Sequence, residues 1–478
     1  MGTNLCFTTR GRAEKFGLHG CVYNFRVLSS VGPALMITRF APSPTGRLHV
    51  GNLRAALHNW LWARANKGRF LLRIDDTDAQ RSREEWVAAI RADLAWLGIE
   101  PDEEARQSER FPLYDAALDR LAAAWRAYPA WDTPDELELR RKVLLGRGLP
   151  PVYERTALAL SSSERARLEA ERGRPHWRFK LDHTVPIEWD DAVRGPQRFD
   201  PALLSDPVIR RADGSWLYML PSVVDDIEMG VAAVLRGEDH VSNTAVQVQM
   251  FAALGAEPPR FAHEALLVGS EGKLAKRLGS FGVDDVRSLG VEPVALAALL
   301  ARLGTSDPVE PVTDLDDLVP GFSPSRLGRA PARFDEGELV GLNAKVLHAL
   351  PFAAVADRLP DGMGEAAWLA LRPNLSVLAD AADWWRVVTG PVEVVGAAGD
   401  AEFLATAAAL AETLLWGDEP WHALTAALGE RTGRRGKSLF RPLRLAVTGR
   451  PSGPDMATLL PLIGQERTVA RLQEAARL

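Results

Sequence analysis

The stretch from Ile37 to Ile74 constrains the fold more than any other part of the chain. Ile37 to Ala41 is a short, apolar-biased strand. Pro42-Ser43-Pro44-Thr45-Gly46 follows, and it fits neither a helix nor a central strand, because proline fixes its own φ and lacks an amide donor. Leu53, Ala56, Leu57, Trp60 and Leu61 then recur at helical spacing and give one apolar face. Lys67-Gly68 ends that helix. Phe70-Leu71-Leu72-Arg73-Ile74 is apolar enough for a strand covered on both faces. Strand, loop, helix, strand is a βαβ unit, so a Rossmann-like, nucleotide-binding parallel sheet is expected.

At 478 residues the chain is too long for one core, and two to four domains are expected. A polar, helix-rich stretch runs from about Arg81 to Arg211. Sheet-like signals return at Ser222-Val223-Val224-Asp225-Asp226, at Val231 to Arg236, and at Leu266-Leu267-Val268. The fold class is therefore α/β: a parallel-sheet domain in two halves, 36–113 and 216–268, with an inserted α+β domain at 114–215. An all-helical domain is expected at 346–478, where Ala and Leu recur with helical periodicity. Residues 1–35 carry Arg10, Arg12, Lys15 and Arg26 against one acid, Glu14. A transit peptide has that balance, but no apolar core or cleavage site marks a signal. The preferred expectation is a translated upstream segment, with Met36 as the true start.

Composition narrows the function classes. No apolar run is long enough to span a bilayer. Cysteine occurs only at Cys6 and Cys21, so the main body holds neither a disulfide nor a cysteine-ligated zinc. A reducing, cytoplasmic setting fits. A nucleic-acid-binding domain is often basic overall, so the net charge of −6 argues weakly against one without excluding it. The distribution of Lys and Arg therefore matters more than their total. Arg431, Arg434, Arg435, Lys437, Arg441, Arg444 and Arg450 fall in one short segment. Such a cluster is either a solvated basic loop or a local RNA-backbone site.

Two other stretches carry chemistry. His49 falls just before a helix start, beside Gly51. A helix N-terminus offers free N–H groups to phosphate, glycine allows close approach, and an imidazole can donate to a phosphate oxygen. Gly269-Ser270-Glu271-Gly272-Lys273-Leu274-Ala275-Lys276-Arg277 follows an apolar run, as a loop at a strand end would. Two lysines and an arginine there can clamp a triphosphate. Each stretch alone could be a chance turn. Their order, each at the end of an expected strand, makes chance a poor account.

The wider pattern resembles a known family. Thr38-Arg39-Phe40-Ala41-Pro42-Ser43-Pro44-Thr45-Gly46-Arg47-Leu48-His49-Val50-Gly51-Asn52 resembles the start of a glutamyl-tRNA synthetase, a class I aminoacyl-tRNA synthetase of bacterial type. Leu72-Arg73-Ile74-Asp75-Asp76-Thr77-Asp78, Val223-Val224-Asp225-Asp226, Leu235-Arg236-Gly237-Glu238-Asp239 and Phe261-Ala262-His263 continue it in order. Arg441 to Arg450 is similar to the family's C-terminal domain. The resemblance covers Met36 to Leu478.

The resemblance implies ATP-dependent ligation of glutamate to tRNA(Glu) through glutamyl-adenylate, with tRNA(Gln) as a second acceptor in some members. It implies ATP handling by Gly46, His49, Gly51, Asn52, Lys273, Lys276 and Arg277, with His49 and the two lysines and arginine as the catalytic set. It places glutamate against Arg39, Ser43, Asp75, Tyr218, Ser222 and Arg236. Arg236 faces the side-chain carboxylate and Asp75 the ammonium; arginine meets a carboxylate with two parallel donors, as lysine cannot. It implies tRNA contact by Arg431, Arg434, Arg435, Lys437, Arg441 and Arg444. In these terms 114–215 is an acceptor-end domain, 269–345 a stem-contact domain with the lysine loop, and 346–478 an anticodon-binding domain. Mg²⁺ is expected with the ATP phosphates, a monomer is expected, and no membrane is involved. Several positions depart from the family pattern. Asp75 stands where many members have Glu, Ser222 where Asn is common, and Ala275 where a hydroxyl is frequent. Asn52 replaces the second histidine of the general class I signature. Tyr128-Pro129-Ala130-Trp131-Asp132 lacks the cysteines of a zinc knot that some relatives carry, so no zinc is predicted. Two alternatives share much of this pattern: a shortened synthetase-like enzyme that glutamylates a tRNA base, and a catalytically inactive tRNA-binding paralogue.

Overall fold

The βαβ unit forms where its residue pattern places it. In the computed structural model, which describes residues 35–269, 282–396 and 399–478, β1 spans Ile37–Phe40, α1 Val50–Ala65 and β2 Arg69–Ile74. The two strands run parallel, with Thr38 opposite Phe70 and Phe40 opposite Leu72. Where α1 turns back into β2, Lys67 adopts a left-handed φ of 53°. A Cβ on Gly68 would lie 1.9 Å from the Met36 carbonyl oxygen, so glycine alone fits that turn.

After α2 (Glu84–Trp96), β3 (Glu103–Arg106) joins the same sheet, and α3 covers Phe111–Ala123. The inserted segment follows: β4 (Ala127–Ala130), α4 (Pro134–Gly146), α5 (Ser162–Arg172), β5 (His176–Phe179), the hairpin β6 (Ile187–Asp191) and β7 (Gly195–Phe199), and β8 (Val208–Arg210). The chain then returns through α6 (Met219–Glu228), β9 (Ala233–Gly237), α7 (Val241–Ala253) and β10 (Arg260–Glu264). The main sheet has the order β10-β9-β1-β2-β3, with every neighbouring pair parallel.

Both faces of this sheet are covered, as its apolar strands require. Phe40, Phe70, Leu72, Ile74, Ala233 and Leu235 pack with Leu53, Leu57 and Leu61 of α1. Val234 and Phe261 face the other way, toward Tyr114, Leu220, Val223, Val246 and Met250. Alternate residues of one strand thus enter opposite cores. The core under α1 continues through Leu296, Leu299 and Leu300 as far as Leu472, so the helical C-terminal part is packed into it. No strand occurs among the described residues beyond 346, and no described helix is long and apolar enough to cross a membrane.

Three local expectations are corrected. Ser222 to Asp226 is not strand-like but lies inside α6, where Leu220, Val223 and Val224 form a buried helical stripe. Its Val-Val pair suggested a strand, and helical packing overrode that propensity. The stretch from Arg81 to Arg211 is helix-rich, with α2 to α5, but not helical throughout: it also supplies β3, the antiparallel sheet β4-β5-β8 and the β6–β7 hairpin. Finally, β11 (Leu267–Gly269) does not join the main sheet; among the described residues it pairs only with β12 (Ala332–Phe334). The segment holding Lys273 therefore follows a small two-stranded sheet, not a main-sheet strand.

Candidate active site

After β1 the chain moves to β2 on one side, and after β9 it moves to β10 on the other. A crevice must open where neighbouring strands diverge in this way, at their carboxyl ends. A cleft of about 520 Å³ lies there. Arg39, Ser43, His49, Gly51, Asn52, Asp75, Tyr218, Ser222 and Arg236 all line it, and Gly46 does not.

His49 is the N-cap of α1. Its Nδ1 accepts from the Asn52 amide at 3.3 Å, while the Asn52 side chain accepts from the His49 amide at 3.2 Å. Asn52 is thus the third residue of a capping box. Because Nδ1 accepts, the neutral ring carries its proton on Nε2, which is left to donate to a ligand. Desolvation lowers the His49 pKa, against the opposing pull of Asp239, and so favours that neutral ring. A Cβ on Gly51 would stand 3.0 Å from His49 Nδ1. Glycine here keeps the imidazole in its capping pose.

Beneath the cleft lies a buried ionic cluster that the sequence reading missed. Arg39 meets Asp226 with two donors, Nε at 3.2 Å and Nη2 at 3.3 Å. Arg73, fully buried, donates to Asp75 from Nε at 2.7 Å and from Nη2 at 3.2 Å, and to Asp226 from Nη1 at 2.7 Å. Asp225 takes Arg110 Nε at 2.7 Å, Tyr114 at 2.8 Å and Gln107 at 2.9 Å. Ser222 Oγ accepts from Arg73 Nη2 at 3.2 Å. Burial pushes the Asp75 carboxyl above its ordinary range, and Arg73 pulls it back only in part. For Asp226 burial acts in the same sense, but Arg39 and Arg73 outweigh it and hold the group below the ordinary range. The signal that could have revealed this cluster was Arg73 itself. A charged residue in an otherwise apolar, doubly covered strand needs buried partners.

Arg236, at the end of β9, differs. It is 7% exposed. Its donors reach Thr244 Oγ1 at 2.5 Å, Gln247 Oε1 at 2.6 Å, Tyr218 Oη at 3.1 Å and His263 Nε2 at 3.3 Å. Every one of these partners is uncharged or held so. Burial, with Arg236 as a neighbour, lowers the pKa of His263 below its ordinary value, and lowers that of His240 to about 4. Among the described residues no carboxylate forms an ion pair with Arg236. Arg39, Arg73 and Arg110 balance Asp75, Asp225 and Asp226 one for one. The guanidinium of Arg236 is left as the uncompensated charge, and a buried charge without a partner calls for an anionic ligand.

Lys273, Lys276 and Arg277 lie outside the described residues. Their described neighbours adjoin the cleft: Leu266 and Leu267 line it, and Gly282 forms a bridge with His49. Among the described residues no group of three or more His, Cys, Asp or Glu side chains could hold a metal ion. Around Tyr128 to Asp132 the polar contacts are direct. Tyr153 donates to Asp132 at 2.6 Å, Arg140 pairs with Asp132 at 2.9 Å, and Trp131 donates to the Gly173 carbonyl at 3.1 Å.

The C-terminal basic cluster is divided by use. Arg434 pairs with Asp400 at 2.5 Å and lies over the Phe403 ring at 4.3 Å. Arg444, half buried, donates to the Pro454 carbonyl at 2.9 Å. Arg431, Arg435, Lys437 and Arg441 are exposed. Lys437 opens the helix Lys437–Thr448, whose first turn holds no acid. Cations at that positive end of a helix are electrostatically disfavoured, whereas a phosphate would be held there.

Residues 36–339 match the family of tRNA synthetases class I (E and Q), catalytic domain, and residues 349–476 match an anticodon binding domain. A curated relative from Rhizorhabdus wittichii, glutamate–tRNA ligase 1, is 64% identical over 442 residues, covering 92% of this chain and all of the relative. Glutamate–tRNA ligase 2 of Erythrobacter litoralis is 64% identical over 447 residues, covering 92% of this chain and 98% of the relative. Among solved structures, a glutamate tRNA ligase from Elizabethkingia meningosepticum in complex with its amino acid superposes with a TM-score of 0.81 at 27% identity, covering 92% of this chain and 99% of that one. With the switch-point cleft, the His49 cap and the two matched domains in one chain, this protein belongs to the class I tRNA synthetases of the E and Q group, among the glutamate–tRNA ligases.

Proposed function

We propose that the chain joins glutamate to tRNA(Glu) at this cleft in two steps. The α-carboxylate of glutamate attacks the α-phosphorus of ATP, forming glutamyl-adenylate and releasing pyrophosphate. A terminal ribose hydroxyl of the tRNA, the 2′-hydroxyl in this class, then attacks the adenylate carbonyl and AMP leaves. Neither step needs a side-chain nucleophile, so the protein supplies position and charge.

The observation that carries this reading is the buried, carboxylate-free guanidinium of Arg236. Arg39, Arg73 and Arg110 are matched by buried carboxylates and Arg236 is not, so Arg236 would take the side-chain carboxylate of glutamate. Glutamine, which lacks that charge, would leave the guanidinium buried and unpaired, at a cost of about 2–5 kcal/mol. Asp75 would take the ammonium, while Arg39 keeps Nη1 for substrate after spending two donors on Asp226. His49 would donate from Nε2 to a phosphate oxygen as its charge grows. Lys273, Lys276 and Arg277 would meet the leaving pyrophosphate, and Mg²⁺ would travel with the ATP phosphates. Arg431, Arg435, Lys437 and Arg441 would hold the tRNA backbone. The scheme takes the enzyme to be a cytoplasmic monomer.

The test is charging with labelled glutamate and ATP, run side by side on tRNA(Glu) and tRNA(Gln). The reading expects glutamyl-tRNA(Glu) and pyrophosphate release. No charging of either tRNA, with no tRNA-dependent pyrophosphate exchange, would end it. The tRNA(Gln) arm decides whether the chain serves one acceptor or two.

A further inference from the structure

Asp191 sits at the end of β6, on a hairpin of the inserted segment, yet it reaches His263, the neighbour of Arg236. The backbone explains how. Ala192 donates to the Phe261 carbonyl at 2.8 Å, which lays the hairpin against the edge strand β10. Asp191 is 4% exposed and His263 is fully buried. One Asp191 oxygen, Oδ1, accepts three backbone amides: Val193 at 3.1 Å, Arg194 at 2.9 Å and His263 at 3.1 Å. The other, Oδ2, faces His263 Nδ1 at 2.5 Å. A carboxylate so placed can only accept, so Nδ1 must carry the ring proton.

The consequence appears on the far side of the ring. With Nδ1 protonated and the ring neutral, Nε2 presents a lone pair. Facing it are Arg236 Nε at 3.3 Å and Thr244 Oγ1 at 2.8 Å. Thr244 Oγ1 in turn accepts from Arg236 Nη2 at 2.5 Å. The guanidinium is therefore aimed by acceptors that bring no negative charge. A carboxylate in the position of His263 would aim it equally well but would neutralise it.

We propose that Asp191 and His263 are positioning residues for Arg236: the carboxylate fixes the imidazole tautomer, and the tautomer holds the guanidinium in place while leaving its charge for the substrate. The inserted segment thereby contributes to the amino-acid pocket without touching the amino acid. Burial and Arg236 keep His263 below its ordinary pKa, and the amide and imidazole bonds hold Asp191 at about 2 despite burial, which agrees with a neutral ring beside an ionised acid. This inference rests on Arg236 receiving glutamate.

Asp191→Asn separates this role from simple packing. The asparagine oxygen must stay with the three backbone amides, so its NH₂ group faces Nδ1. The ring must then carry its proton on Nε2, opposing the Arg236 Nε–H donor. ¹⁵N-histidine NMR of the full chain, with the His263 signals assigned by difference against His263→Gln, should show bare Nε2 in the wild type and bare Nδ1 in Asp191→Asn. The KM for glutamate should rise about tenfold or more, with kcat at saturating glutamate and the KM for ATP within about twofold. Thr244→Val, which removes the bridging hydroxyl but keeps the tautomer, should raise the same KM by a smaller factor. A protonated Nε2 in the wild type overturns the proposal even if Asp191→Asn fails to fold. So does a flipped tautomer with an unchanged KM for glutamate, or a loss confined to kcat. Arg236→Lys is the control for the underlying reading. If it leaves the KM for glutamate unchanged, the glutamate assignment fails, while the tautomer result stands by itself.

Discussion

The arginines of the cleft and those of the C-terminal segment look alike in sequence and differ in physics. In the cleft, Arg39, Arg73 and Arg236 are buried, and each is held by named hydrogen-bond partners. In the C-terminal segment, Arg435, Lys437 and Arg441 are exposed to solvent. Burial makes each cleft charge expensive, so a single uncompensated one defines a ligand. Exposure makes each surface charge cheap and screened by salt, so only their sum is informative. The same residue type therefore supports a specific claim in one place and an additive claim in the other.

The largest expected effect would test the buried side of this comparison. Arg73→Met would leave Asp75 without its main counter-ion, and Asp226 with Arg39 alone, in a closed site. It should cost about 3–5 kcal/mol of stability, read as a lower urea midpoint. A loss of under about 1 kcal/mol would mean that the cluster is better solvated than its burial indicates. His49→Asn should come next. Asparagine can still cap α1, but it lacks the Nε2 donor, so adenylate formation should slow by about 10²-fold with the thermal midpoint little changed. Equal loss in Tm and in rate would reassign His49 to a capping role alone.

How far the sequence revealed each region follows the same division. The nine cleft-lining residues expected from the resemblance do converge on one cavity, because β1, α1, β2, α6 and β9 carry them to one switch point. Asp226 and Arg73, which fix Arg39 and Asp75, lie within the family blocks with no role assigned to them, since Asp226 is more than a hundred residues from both of the arginines it joins. Periodicity reads neighbours along the chain, and these contacts are made across the sheet. Ser222 to Asp226 was misread for a related reason: a Val-Val pair has strand propensity, while only the packing of α6 on α7 and α3 makes it helical. In the C-terminal segment the cluster was visible as composition, but its division was not. Nothing local marks Arg434 as the partner of Asp400, or Arg444 as bound to the Pro454 carbonyl.

The exposed side should yield smaller effects. Replacing Arg435, Lys437 and Arg441 together by alanine should weaken tRNA binding. It should also reduce the steepness of its salt dependence by about 2, at roughly 0.7 per phosphate contact on single-stranded RNA. Each single replacement should do about a third of that. A salt slope unchanged in the triple variant would remove this surface from the tRNA path. Arg434→Ala should do least to tRNA affinity and should instead cost about 1 kcal/mol of stability, because its charge is already spent on Asp400 and its plane on Phe403.

The central claim is that one buried, uncompensated guanidinium selects glutamate. It is tested most directly by the KM for glutamate in tRNA charging, measured for the wild type and for Arg236→Met, with glutamine as the competing amino acid. The account predicts efficient use of glutamate and none of glutamine by the wild type. It predicts a KM for glutamate raised by roughly 10²-fold or more in the variant, with the KM for ATP preserved. An unchanged KM for glutamate in Arg236→Met, or wild-type charging with glutamine at a comparable rate, would contradict it.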